Sequence, residues 1–208
     1  MTNQRRILTE NSYTFSKYGE LQFPTEDVLE ELGAHFKTEA LNLTPATKHP
    51  VDTEGLTRDL RENLSMVDPS SEAARRETLI FPTLRAICRA AGLKLKIEYP
   101  IKVSDLLKGT LDYFIPNGNN LLVVEAKQAD LSKGFTQLAV ELIALSQWQG
   151  ERAGAILYGV VTTGESWKFG VYNPAQQFVV KDTATYALPN NTGDVIAIIW
   201  SILKGLPA

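Results

Sequence analysis

Asp112, Glu125 and Lys127 are the residues whose types and spacing most plainly suggest chemistry. Glu125 and Lys127 end the stretch "LLVVEAK", in which an apolar run closes on an acid and a base. Side chains in a strand alternate between faces, so Val123, Glu125 and Lys127 share one face, and Leu122, Val124 and Ala126 the other. Upstream, Asn117-Gly118 is the dipeptide favoured in a type I′ turn, which makes residues 111–115 and 121–127 a β-hairpin. A turn centred there sets Asp112 opposite Val123, on the face that carries Glu125 and one pair away from it. A symmetric four-residue loop over 116–119 keeps that register, whereas a one-residue slip sends Asp112 to the other face. Two carboxylates within reach of each other repel unless a cation sits between them, and oxygen-only ligation suits Mg²⁺ or Mn²⁺. Lys127, roughly 6 to 7 Å farther along the strand, could orient an attacking water and offset negative charge developing on a phosphate. The same residues also fit a surface Glu-Lys pair at the end of an edge strand, where charge discourages aggregation.

The elements that must position these residues follow from periodicity and stop signals. After "VDPSSE", where Ser70 or Ser71 can cap, residues 72–91 present an apolar helical face through Ile80, Leu84, Ile87 and Ala91, with Gly92 as a stop. Pro82 removes a backbone donor inside that span, so the helix kinks there or a second one starts there. Glu77 lies about one turn before Ile80 and Phe81 and extends the face into a carboxylate. It either points into the Asp112 cluster or sits at the edge of the face, reaching water or pairing with Arg76 or Arg85. A strand at 95–101, the hairpin, a helix at 130–148, a second hairpin around "TTGE", a strand at 178–181 and a helix at 194–203 complete the order. Helix, three strands, helix, strands, helix predicts an α/β sandwich with a mixed sheet. Residues 25–43 show helical periodicity through Val28, Leu29, Leu32 and Phe36, and 54–66 read as a second, mostly polar helix, with a turn-rich linker between them.

Composition narrows the function classes. The chain has 208 residues, 44% of them hydrophobic, enough for one substantial core or for a domain with a smaller appendage. Its apolar runs are far shorter than the ~20 residues that span a bilayer, and its polar start lacks a secretory core, so a soluble, unexported protein is expected. Cys88 is the single cysteine, so an intrachain disulfide and a thiolate zinc site are excluded. His35 and His49, far apart and without nearby cysteines, read as ordinary polar residues rather than metal ligands. A net charge of -3 argues against coating nucleic acid by bulk charge. A local basic surface could come from Arg75, Arg76, Arg85 and Arg89 with Lys94, Lys96 and Lys102, or these residues are a solvated helix face and its surroundings.

With these residues in place, the chain resembles the PD-(D/E)XK nuclease superfamily, whose core is a helix, a three-stranded meander, a crossover helix and a further strand. "GTLDYF" and "LLVVEAK" are similar to its two signature strands, and the resemblance covers about residues 70–173. It implies that Asp112 and Glu125 are metal ligands, with the Ala126 backbone carbonyl often a third, and that Lys127 is the catalytic lysine. Glu77 in "EAARRETLIFPTL" is similar to the N-terminal helix acid, a further ligand, and Gln137 in "GFTQLAVEL" to a crossover-helix glutamine of some members. Leu111 stands where the family usually has a proline before the first acid. The later segment "YGVVTTGESWKFGVYN" looks most like the nuclease-type domain at the front of type I restriction motor subunits. The chain carries no G-x-x-x-x-G-K-[ST] phosphate loop, so translocation would need another protein.

The expectation is therefore a restriction-endonuclease-like α/β sandwich, its mixed central sheet flanked by helices. Residues 69–208 would form the nuclease-like domain and residues 1–68 a helical or irregular extension. The expected activity is Mg²⁺- or Mn²⁺-dependent hydrolysis of a phosphodiester, in DNA. The alternatives are a non-catalytic nuclease-like module for nucleic-acid binding or assembly, and a structural domain with a surface charge network. Nucleic acid is the expected partner, with a homodimer or a separate motor or specificity protein left open, no membrane, and a cytoplasmic location.

Overall fold

Ser71 starts the helical span that the sequence places at 72–91: its hydroxyl accepts the Ala74 N–H at 3.1 Å. Gly92, at φ 69°, ends it in the left-handed conformation that glycine adopts without steric cost. Between these caps run α4 (Glu72–Arg75), a π-helical turn (Arg76–Ile80) and α5 (Phe81–Ala91). Pro82 has no N–H to give the Thr78 carbonyl four residues earlier, and the wider turn falls there. The Asn63 side-chain amide, from α3 (Thr53–Met66), donates to that carbonyl at 2.9 Å. Asn63→Ala is expected to cost about 1–3 kcal/mol by stranding this acceptor, read as a lower urea midpoint at unchanged slope.

The computed structural model describes residues 6–117, 122–126, 131–148 and 156–205, excluding the side chains of 122–126. Its sheet contains β1 (His35–Glu39), β2 (Lys96–Lys102), β3 (Lys108–Ile115), β4 (Leu122–Ala126), β5 (Leu157–Thr162), β6 (Ser166–Asn173), β7 (Phe178–Asp182) and the short β8 (Tyr186–Ala187). The strand order is β1-β7-β6-β5-β4-β3-β2, with β8 paired to β6. β1–β7 and β4–β5 are parallel and the other pairs antiparallel, so the protein is mixed α/β. The parallel β4–β5 pair requires a crossover, which α6 (Leu131–Trp148) supplies. Among the described residues, no helix is long and apolar enough to cross a membrane.

Alternation along the strands sends side chains into two apolar layers. The first joins α1 (Phe15–Glu20), α2 (Thr25–Glu31) and α6 to the sheet through Phe15, Val28, Phe135, Leu138 and Val161. The second joins α3, α5 and α7 (Thr192–Lys204) through Leu60, Leu84, Ile87, Val160, Trp167 and Ile199. Cys88 is 5% exposed, and burial pushes its thiol up to about 11 from 9.0. The unfolded thiol loses its proton first, so stability falls as pH rises from 9 to about 11. Burial also raises Tyr158 and Tyr172, which adds to the same trend. The slope across this window is expected to be shallower in Cys88→Ala, as measured by urea titrations through it.

The region read as a helix over 25–43 is different. α2 stops at Glu31, Gly33 turns at φ 75°, and the next residues form β1, parallel to β7. Phe36 fits the helical spacing, yet it reaches the same layer from a strand, its ring 6.0 Å from that of Phe135. An edge of β7 ready to hydrogen-bond outweighs a weak local helical preference.

Candidate functional site

Asp112 lies partly buried on β3, at an interruption of the β2–β3 register. The β2–β3 register runs from Lys96↔Phe114 to Lys102↔Lys108 but skips the Glu98–Asp112 step. Glu98 has φ 50°, a conformation that costs a non-glycine residue about 1–2 kcal/mol. Alternation fails at the same point: Leu111 and Phe114 lie in the first layer, whereas Tyr113 and Ile115 lie in the second. On the other side, the β3–β4 register runs from Ile115↔Leu122 to Tyr113↔Val124. Asp112 and Glu125 occupy the next positions along the two strands.

This register corrects the hairpin expectation, because Phe114, not Asp112, stands opposite Val123. Ile115 pairs with Leu122, a register that a two-residue turn centred on Asn117-Gly118 does not give. Asn117 is also engaged elsewhere, its side-chain amide donating to the Leu203 carbonyl of α7. The difference is an even number of positions, so it sets position 112 across from 125 instead of diagonal to it. Position 125 pairs with Val161 of β5, a first-layer residue, and Ala126, the last residue of β4, pairs with Thr162. Lys127 lies outside the described residues, as does the Glu125 side chain, and with them the expected convergence of Asp112, Glu125 and Lys127.

Glu77 sits in the π-helical turn and is exposed. It borders a cleft of about 450 Å³ together with Arg76, Phe81, Ile97, Glu98 and Tyr113. Arg76 is the hub of that cleft. Its Nε donates to the Tyr113 hydroxyl at 3.3 Å, its guanidinium lies 5.1 Å from the Tyr113 ring centre, and its Nη1 donates to Glu98 Oε1 at 3.3 Å. Burial works against the Arg76 charge, but the Tyr113 hydrogen bond and the nearby Tyr113, Asp112 and Glu98 outweigh it and hold its pKa above the ordinary value. Burial is the largest cause raising Tyr113; the Arg76 hydrogen bond and charge oppose it, and Asp112 and Glu77 reinforce it. The phenol therefore keeps its proton at neutral pH, and the charges of both Asp112 and Glu77 are felt at Tyr113.

Gln137 is placed differently. It is buried on α6, donates through Nε2 to Glu141 Oε1 at 2.9 Å, and lies against Gly19 of α1. Of the expected basic surface, Arg85, Arg89, Lys94 and Lys102 are exposed, while Arg76 turns into the cleft and Lys96 stands 4.1 Å over the Tyr99 ring. Glu98 and Tyr113 were not among the sequence-derived site residues; adjacency to Asp112 was the one signal for Tyr113, and Glu98 had none. The hard carboxylate oxygens of Asp112 and Glu125 are the donor type that Mg²⁺ or Mn²⁺ takes, and the β3–β4 register stops where these two residues follow. No protein-family model matches this chain, and no curated protein matches it.

Proposed function

We propose that this protein is a divalent-metal-dependent nuclease of the restriction-endonuclease-like type, acting on DNA. One observation carries the reading: the partly buried Asp112 sits one step past the last β3–β4 register pair, across from the position that begins Glu125-Ala126-Lys127. The order of α4–α5, the antiparallel β2–β3–β4, the crossover α6 and the parallel β5 supports it.

In this reading Asp112 and Glu125 hold the ion, with the Ala126 carbonyl as a further oxygen donor. When bound, Mg²⁺ or Mn²⁺ would offset phosphate charge and make a water more acidic. Lys127 orients the attacking water and stabilises negative charge as it develops on the phosphate. Glu77, which borders the cleft, and Asp112 both act electrostatically on Tyr113, and the Arg76 charge opposes them there. The purified protein is to be incubated with supercoiled, linear and single-stranded DNA, with Mg²⁺, with Mn²⁺ and with chelator. Cleavage in either metal that stops with chelator is the expected result. Saturable DNA binding with no cleavage in any metal would favour the non-catalytic module instead.

A further inference from the structure

The cleft beside Asp112 combines features that phosphate would not use. Phe81 and Ile97, the latter 48% exposed, give it an open apolar wall, while Tyr113, 2% exposed, lies beneath the Arg76 guanidinium. Its charged groups are one guanidinium, Arg76, against three carboxylates, Glu72, Glu77 and Glu98. That excess of negative charge repels a phosphodiester. Carboxylates only accept hydrogen bonds and a guanidinium only donates them, so a matching occupant offers both donors and acceptors and carries no negative charge within the cleft. At about 450 Å³ the space has the size of a small-molecule site.

We infer that this cleft receives one unpaired guanine base of the nucleic-acid substrate, an inference that rests on the nuclease reading and names the substrate class of that site. Guanine presents O6 and N7 as acceptors, which Arg76 matches, and N1–H and the N2 amino group as donors, which a cleft carboxylate matches. Adenine presents no two adjacent acceptors to the guanidinium, cytosine offers a carboxylate only its amino group where guanine offers both N1–H and the N2 amino group, and a paired guanine has its Watson–Crick edge covered. Phe81 and Ile97 take the base face, as apolar and aromatic side chains do in sites for flipped or single-stranded nucleotides. Asp112 precedes Tyr113 in the chain and its charge acts on both Tyr113 and Arg76, so the cleft lies within electrostatic range of the proposed metal ligand. Glu98 positions Arg76, which gives its strained backbone a use.

The test uses fluorescein-labelled oligothymidylates, single-stranded, each with one central guanine, inosine, 7-deazaguanine or thymine. Binding is read by anisotropy with Ca²⁺, and cut positions are mapped separately with Mn²⁺. Guanine is expected to bind on the order of tenfold tighter than thymine. Inosine and 7-deazaguanine should each lose part of that gain, and Arg76→Ala and Glu98→Gln should erase the guanine preference. Equal binding of all four oligonucleotides overturns the inference, and if cutting persists the nuclease reading stands. Guanine-selective binding without cutting supports the cleft assignment and removes the nuclease reading. Preferential binding of a lysine-rich peptide, lost in Glu98→Gln, overturns the inference in favour of a protein partner.

Discussion

Glu125→Ala is expected to abolish both Mn²⁺ binding and DNA cleavage, whereas Lys127→Ala keeps the ion and slows cleavage by about 10²- to 10³-fold. The two failures differ because the two groups act differently. A carboxylate supplies ligand charge that water cannot replace, so the ion is lost with it. In the proposed reaction the ammonium acts on the water and on phosphate charge that develops only as the bond breaks, so its loss is expected in rate. Removing that positive charge could even tighten the ion. Calorimetric titration with Mn²⁺ beside plasmid nicking separates the cases, with thermal midpoints matched so that unfolding does not imitate either. A Lys127→Ala variant that nicks at the wild-type rate would remove lysine from the mechanism.

The second large effect concerns the seat of α6, the crossover between β4 and β5. Gly159 and Gly170 are register partners on neighbouring strands, and together they leave a flat patch on the first-layer face. Phe135 and Leu138, both fully buried, rest on it. A Cβ at Gly170 would stand 2.5 Å from Phe135 Cζ, and one at Gly159 would stand 2.8 Å from Leu138 Cδ1. Either contact forces a core side chain or the whole helix to move. Gly170→Ala is expected to destabilise by about 1–3 kcal/mol, as overpacking does, a fall of roughly 2–4 °C per kcal/mol for a chain of this size. Phe135→Leu also costs stability, but in combination with Gly170→Ala the loss should be smaller than the sum. Strict additivity in this double-mutant cycle, read by thermal unfolding, would show that the glycines do not seat the helix through Phe135.

The parts of the fold written in local pattern were legible. Leu84 and Ile87 announce the inner face of α5, Gly92 its end, and "TTGE" the turn between β5 and β6, because each signal is settled by neighbours in the chain. Features decided by distant partners were not. Phe36 satisfied a helical spacing, yet β7 recruited its segment into the sheet. Asn117-Gly118 reads as a tight turn only if Asn117 is uncommitted, and the end of α7 engages it. The positive φ of Glu98 left no mark, since glutamate is not a residue type that favours that conformation. For that reason the grouping of Arg76, Glu98 and Tyr113 beside Asp112 emerged only in three dimensions, although Asp112 and Glu77 were both candidates from the sequence.

If Asp112 holds the ion in the proposed phosphodiester hydrolysis, Asp112→Asn is the decisive substitution, because it removes charge while nearly preserving shape. Supercoiled plasmid is incubated with Mn²⁺ and either wild-type protein or Asp112→Asn, with circular dichroism confirming equal folding, and conversion to nicked circles is followed in time. The wild type is expected to nick, and the variant to do so at least 10²-fold more slowly. Equal rates for the two proteins would remove Asp112 from metal binding, and no nicking by the wild type would remove the nuclease activity itself.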